Sequence, residues 1–424
     1  MDSGQALRER FVNVPGNAEW AELYREGGYH PVHLGEVFAH RYRILRKLGN
    51  GRFATIWLAK DDKLHRYVAF KITVASGARV RHEINALRKS NEAANVERDN
   101  NKPVLQLLDE FSITGSNGMH SILVLEPMGR SLQEHLLILQ RLDPKELDYR
   151  RVGFMREISK QLVNALHHLH SNGIVHRDVQ PGNILFALQY SLDQLDEEAV
   201  QADTRIRKSQ NIFSLHRIDG NPLDETSPTY VVEPRPLDDG VQNTSPPPEF
   251  RVVYSDFGAA STFEDVNDGG HAYPTRLRPP ELLLHQPLSE KADVWSLGCV
   301  IFQTVTLTNL FFVNSFATPA EQDNEHLQSV TEVLGPLPPD MLKLWKDRDS
   351  FVNSDGDLLD EVIKGGISEP LNELIALQKP AGMPSVEVPI FEDFVRSMLR
   401  YKPEERASTA DLLRHPWITR SFHE

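Results

Sequence analysis

The stretch Ile174–Leu185, IVHRDVQPGNIL, decides how the rest of the 424-residue chain is read. Apolar pairs, Ile174-Val175 and Ile184-Leu185, close off a polar loop. A helical stripe of Phe154, Ile158, Leu162, Ala165, Leu166 and Leu169 runs into it and stops at Gly173. Inside the loop Asp178 and Asn183 stand five positions apart. The first offers a carboxylate to receive a hydroxyl proton, and the second offers an amide oxygen to a metal ion. A turn held by local Asn and Asp hydrogen bonds would use the same residues, so the loop alone decides little.

Three other stretches supply the context. Downstream, VYSDFGAA (253–260) places Asp256 after a β-rich stub and before Phe257-Gly258, where a carboxylate can bridge Mg²⁺ to nucleotide phosphates. Upstream, LGNGRFATIW (48–57) puts Gly49 and Gly51 at a strand–turn–strand, where missing side chains let backbone N–H groups approach phosphates. Ala54 stands where a third glycine is usual, and Ile56 is a β-branched residue suited to covering a base. In VAFK, Lys71 ends an apolar strand, and Glu83 lies twelve residues on beside the apolar stripe of a helix expected over 79–90. An ion pair between them would hold the lysine for phosphate binding. Each stretch has an ordinary reading: a plain hairpin turn, a solvated strand end, a local turn.

Together and in this order they match the protein-kinase signature set, and the chain resembles that family over nearly all residues after 40. RPPE (278–281) is similar to the Ala-Pro-Glu element, DVWSLG (293–298) supplies Asp293 as an anchor for the catalytic loop, and Arg406 is the expected buried partner of Glu281. The lead-in EGGYHPVHLGEVFAHRY (26–42), the position of a long insertion, and DNEHLQSVTEVLGPLPPDM (323–341) resemble the SR-protein-specific Ser/Thr kinases, with this chain a divergent, fungal-type member. Arg278 is typical of the larger group holding those kinases.

The resemblance implies an α+β, two-lobed kinase fold. A small β-rich N-lobe with one main helix (41–126) follows an N-terminal extension (1–40), and a larger, mainly helical C-lobe spans 127–424. It also implies ATP and Mg²⁺. Leu48, Gly49, Asn50, Gly51, Arg52, Phe53, Ala54, Thr55 and Ile56, with Ala69, Lys71, Glu126 and Met128, would hold ATP. Asn183 and Asp256 would hold Mg²⁺, and Asp178, Lys71, Glu83 and Asn183 would be catalytic. The expected reaction is phosphoryl transfer to protein serine or threonine, on basic or Arg/Ser-rich substrates such as splicing factors.

One departure opens an alternative. Two positions after Asp178 the family's Ser/Thr kinases carry Lys, and this chain carries Gln180. A neutral amide replaces a charge on the transferring group, a loss worth roughly 10²–10³-fold in rate. A pseudokinase or nucleotide-binding scaffold is therefore the competing reading, opposed by the retained Lys71, Asp178, Asn183 and Asp256. Tyrosine-kinase patterns place Arg two or four positions after the aspartate, which neither Gln180 nor Gly182 satisfies.

Composition sets the remaining bounds. With 46 Lys+Arg against 60 Asp+Glu the formal charge is −14, which argues against a protein that coats nucleic acid. The single cysteine, Cys299, excludes an internal disulfide and suggests a reducing compartment. No run of about 20 apolar residues is present, so no membrane association is expected. A monomer, cytoplasmic and/or nuclear, is the expectation. Residues 193–249, carrying 12 acidic and 5 basic side chains and seven prolines, read as a mainly disordered spacer interrupting the C-lobe at about 190–250. A cluster of acidic residues, Asp347, Asp349, Asp355, Asp357, Asp360 and Glu361, reads equally well as a solvated acidic loop or as a groove for basic peptides.

Overall fold

Strand-forming runs separated by Gly-Asn-Gly and Asp-Asp turns mostly pair with their sequence neighbours, the cheapest closure available to the chain, the exception being the pairing of the fourth strand with the sixth. In the computed structural model, which describes residues 9–14, 16–75, 80–96, 102–141, 149–195, 197–201, 211–241, 249–266, 273–365 and 369–420, they build a six-stranded sheet. Its strands are β1 (Val37–Phe38), β2 (Tyr42–Gly51), β3 (Ala54–Asp61), β4 (Arg66–Thr73), β5 (Leu107–Gly115) and β6 (Gly118–Leu125). The order is β1-β2-β3-β4-β6-β5, and every neighbouring pair is antiparallel. Alternation sends Tyr42, Ile44, Trp57, Val68, Phe70 and Ile122 into one apolar cluster. Helix α1 (Val80–Val96) follows β4 and runs beyond the expected end at residue 90. Asn91 extends it usefully: its amide donates to the Leu105 carbonyl at 3.1 Å and its oxygen accepts from Leu107 N–H at 2.7 Å, fixing the start of β5.

The sheet and α1 as far as Asn91 belong to one compact unit, Met1–Asn91 with Leu105–Arg130 and Phe186–Val241. The last of those segments corrects the expectation of a mainly disordered spacer. Residues 211–241 are ordered: Ile212–Ser214 pairs antiparallel with Tyr230–Val232, and Phe11 of the N-terminal extension bridges to Arg217. Leu215, Val231, Val232, Leu237 and Val241 are all buried. Net charge and proline content, averaged over 57 residues, masked a short apolar alternation whose missing half lies in the extension. Phe11, Ala21, Tyr24 and Tyr29 supply that half. Residues 202–210 and 242–248, including most of the SPPPE run, lie outside the described residues.

The second unit, Glu92–Val104 with Ser131–Leu185 and Gln242–Glu424, is mainly helical. Helix α2 (Leu132–Leu139) starts at a capping box in which Ser131 and Glu134 each accept from the other's backbone N–H. It is followed by α3 (Tyr149–Ser171), α4 (Lys291–Thr306), α5 (Pro319–Leu334) and α6 (Val388–Met398). The apolar sequence of α4 is buried from Ala292 to Thr306, Cys299 included. Gly298 has a packing reason: a Cβ there would stand 3.0 Å from the Met398 side chain.

Arg406 forks onto Glu281 with contacts of 2.7 and 2.6 Å, both residues buried. Its remaining N–H groups reach the carbonyls of Arg400, Tyr401 and Lys291. Full satisfaction makes the buried pair tolerable; removing one partner of such a pair costs on the order of 3–5 kcal/mol. Among the described residues, no helix is long and apolar enough to cross a membrane.

Candidate functional site

The residues expected from the sequence to hold the phosphates of ATP lie on the β2–β3 hairpin. Gly49 pairs with Ile56, Asn50 with Thr55 and Gly51 with Ala54, so Arg52 and Phe53 make the turn. A slip in pairing at Leu48, between Lys47 and Gly49, twists the hairpin away from a regular ladder. A Cβ added at Gly51 would meet nothing within 4 Å, and one at Gly49 would meet only Ile56, at 3.9 Å. The glycines are therefore not demanded by internal packing. They leave one side of the hairpin bare, as a backbone cradle for phosphates requires.

The sheet then carries the other residues into register. Lys71 on β4 stands opposite Ile56 on β3 and Leu123 on β6, and Ala69 stands opposite Leu58 and Leu125. Lys71 Nζ meets Glu83 Oε1 of α1 at 2.6 Å, with both side chains nearly buried. Glu126 N–H donates to the Gln106 carbonyl at 3.1 Å, and the Glu126 carboxylate accepts from Gln106 N–H at 3.0 Å. Met128 is buried two residues later.

In the helical unit the loop 176–183 is set by a single carboxylate. Asp293, buried in the first turn of α4, accepts His176 N–H at 2.7 Å and Arg177 N–H at 2.8 Å. His170 Nε2 lies 3.2 Å from it. Arg177 is held at φ 66°, a left-handed conformation unfavourable for a long side chain, and the paired N–H bonds offset that strain.

The His176 ring locks the next turn. Its Nδ1 accepts Asp178 N–H at 3.3 Å, which puts the ring proton on Nε2, 3.1 Å from the Ser255 carbonyl. Ser255 closes the circuit by donating N–H and Oγ–H to the Asn183 carbonyl, at 2.8 and 3.0 Å. The loop is thus fastened to the residue that precedes Asp256.

Asp178 sits at the centre of this arrangement. Asn183 Nδ2 donates to its Oδ2 at 2.8 Å, and Gln180 Nε2 donates to its Oδ1 at 2.7 Å. Burial raises its pKa above the usual carboxylate value, against the pull of His176, and the charge of Asp256 pushes the same way as burial. With the Asn183 amide nitrogen spent on Asp178, its oxygen remains as an acceptor. Asp256 is exposed, at φ 57°, while the adjoining Phe257 is buried with its ring 4.9 Å from that of His176.

An amide oxygen and a carboxylate form a hard oxygen donor set suited to Mg²⁺. Among the described residues, no group of three or more His, Cys, Asp or Glu side chains is placed to hold a metal ion. Mg²⁺ fits such a sparse set, because it takes much of its coordination from substrate phosphates and water.

Every residue expected from the sequence is therefore placed. The hairpin, Ala69, Lys71, Glu83, Glu126 and Met128 lie in the sheet unit; Asp178, Asn183 and Asp256 lie in the helical unit. Sequence reasoning missed the contact of Gln180 with Asp178 and three contacts made by the extension and insertion. Those three are Tyr29 with Gly51, Glu19 with Lys47, and Asp239 with the chain at Gly129-Arg130. The only sequence signal for the first was the Gly27-Gly28 pair before Tyr29.

Comparison with known proteins gives the chain a family. The protein kinase domain matches residues 42–194 and 248–418. Serine/threonine-protein kinase SRPK of Physarum polycephalum is 29% identical, over 94% of this chain and 91% of that protein. Protein kinase dsk1 of Schizosaccharomyces pombe is 27% identical over 98% and 87%, and SRSF protein kinase 3 of Homo sapiens 23% identical over 93% and 89%. A crystal structure of a kinase domain superposes with a TM-score of 0.61 at 20% identity, covering 92% of this chain and 98% of the other. The chain belongs to the protein kinase family, as a divergent, SR-protein-kinase-like serine/threonine kinase.

Proposed function

We propose that this kinase transfers the γ-phosphoryl group of ATP to serine or threonine in basic, Arg/Ser-rich proteins, with Asp178 receiving the hydroxyl proton. The observation that carries the reading is the setting of Asp178, a half-buried carboxylate held by two side-chain amides and fixed through His176 and Asp293. Bound Mg²⁺-ATP supplies the phosphoryl group and a counter-charge for it. The bare hairpin cradles phosphates, Lys71 orients them under the hold of Glu83, and Asn183 with Asp256 provides the metal's protein oxygens. The hold of Gln180 on Asp178 keeps the carboxylate oriented without adding positive charge, which fits a slow kinase better than an inert one.

Support for a basic substrate comes from the acidic exposed residues of the helical unit. Asp347, Asp349, Asp355, Asp357, Asp360 and Glu361 all face solvent. Beside them Asp323, Asn324, Trp345 and Asp347 line a pocket of about 200 Å³. The relative named SRSF protein kinase 3 points to the same substrate class. The reading includes a monomer working in the cytoplasm, the nucleus or both.

The test is phosphate transfer from Mg²⁺-ATP to an Arg-Ser repeat peptide. Asp178→Asn should lower the rate by about 10²–10⁴-fold, and Gln180→Lys should raise it by about tenfold or more. A parent without activity, or an Asp178→Asn variant as active as the parent, would sink the proposal. An unchanged Gln180→Lys rate would remove the charge argument alone.

A further inference from the structure

The chain that precedes the sheet touches the glycine hairpin at two points. Tyr29 Oη donates to the Gly51 carbonyl at 2.6 Å, at the very end of β2. Glu19 pairs with Lys47 Nζ, both side chains buried, at the last residue before the pairing slips. Leu48, Gly49 and Asn50 lie between these two pins.

The pins are joined to each other. Tyr24 Oη donates to the same Glu19 carboxylate, and its ring packs edge-on against Tyr29 with centroids 5.6 Å apart. A tight turn presents Tyr29: its N–H donates to the Leu23 carbonyl at 3.0 Å, and Gly28 N–H donates to the Arg25 carbonyl at 2.8 Å. That turn admits only glycine at 28, because a Cβ there would stand 1.9 Å from the Leu23 oxygen. Asn117 Nδ2 donates to the Tyr29 carbonyl at 2.6 Å, tying the turn to the β5–β6 hairpin.

From this geometry we infer that Tyr29 is a positioning residue for the nucleotide. Its hydroxyl, carried on a segment fixed by Glu19 and Lys47, holds the hairpin in one conformation and so sets affinity for ATP rather than the rate of transfer. The inference rests on the hairpin being the ATP loop. Glycine backbone loses more conformational freedom on ordering than any other residue, and a loop ordered before binding does not charge that loss against affinity. The Gly51 carbonyl is a suitable handle. Holding it restrains the loop while the space on the bare side of the glycine stays open.

The experiment uses the full chain, with calorimetric binding of Mg²⁺-ADP, steady-state kinetics on the Arg-Ser peptide, and amide hydrogen exchange over residues 49–53. Tyr29→Phe keeps the ring and removes one hydrogen bond. Its Kd for ADP and KM for ATP should rise about three- to tenfold with kcat within about twofold, and residues 49–53 should exchange faster. Gly28→Ala, which displaces the turn, should move the same quantities in the same direction. A Tyr29→Phe variant with parental Kd, KM and exchange overturns the inference, as does one whose only change is a lower melting temperature or a lower kcat. A parent that binds no ADP overturns the ATP reading and this inference with it, whereas a binding parent with an unchanged variant overturns this inference alone.

Discussion

The loop 176–183 and the insertion residues 211–241 both lack α-helix and long strand, yet they are held by different forces. The loop hangs from one buried carboxylate, Asp293, through hydrogen bonds to two consecutive backbone N–H groups. The insertion is held by spread-out apolar burial and short pairing with a segment roughly 200 residues earlier in the chain. Polar anchoring concentrates its energy in one side chain. Apolar docking divides it among many, so no single residue of the insertion stands out in the sequence.

The largest effect should follow loss of the concentrated anchor. Asp293→Ala leaves two buried N–H groups without their acceptor and frees Arg177 from its strained conformation, so kcat should fall by about 10²-fold or more through misplacement of Asp178. If kcat stays within tenfold of the parent in peptide assays, the loop is held by something other than Asp293.

A smaller effect should follow at the insertion. Gly129 meets Asp239 so closely that a Cβ would stand 2.3 Å from the Asp239 Cβ, and Arg130 N–H donates to the Asp239 carboxylate at 3.1 Å. Gly129→Ala should cost about 1–3 kcal/mol and speed proteolytic nicking within 211–241. Parental nicking rates would break the contrast drawn above, because the docking would then tolerate a direct steric insult.

The smallest effect concerns acid. His30, in the extension, packs against His120 of β6 with ring centroids 4.9 Å apart, and burial with the nearby His120 and His33 lowers its pKa to about 4. The unfolded chain takes up this proton near pH 6.5 and the folded chain only near 4. Stability from this site is therefore intact above pH 6.5 and declines as pH falls toward 4. Urea midpoints at pH 7 and pH 5 should differ in that sense, and His30→Phe should flatten the difference. An equally steep acid limb in the variant would assign it to other groups.

These contrasts explain what the sequence disclosed. Lys71, Glu83, Asp178, Asn183 and Asp256 could be singled out as candidates because their motifs, taken in chain order, resemble the protein-kinase signature set. Glu281 with Arg406, and Asp293 beneath the loop, were legible through the same resemblance, and the sheet was legible through alternation and turn residues. The ordered insertion was not. Its apolar positions complete a surface begun by Phe11, Tyr24 and Tyr29, and pairing across that distance leaves no local periodicity. The grip of Tyr29 on Gly51 was invisible for a related reason, since a side chain bonding to a backbone carbonyl imposes no residue type on its partner.

The shared cluster of Phe11, Tyr24 and Tyr29 with Leu215 and Val231 also orders events in time. A ribosome adding about 5–20 residues per second needs on the order of 10–40 s to pass from the first of these residues to the last. Through that interval the earliest-made residues must wait without their apolar partners, exposed to chaperones and proteases. Residues 11–29 of the kinase are thus secured only once residue 231 has been made, and chains halted near residue 200 should display protease sensitivity over residues 11–29 that full-length chains conceal.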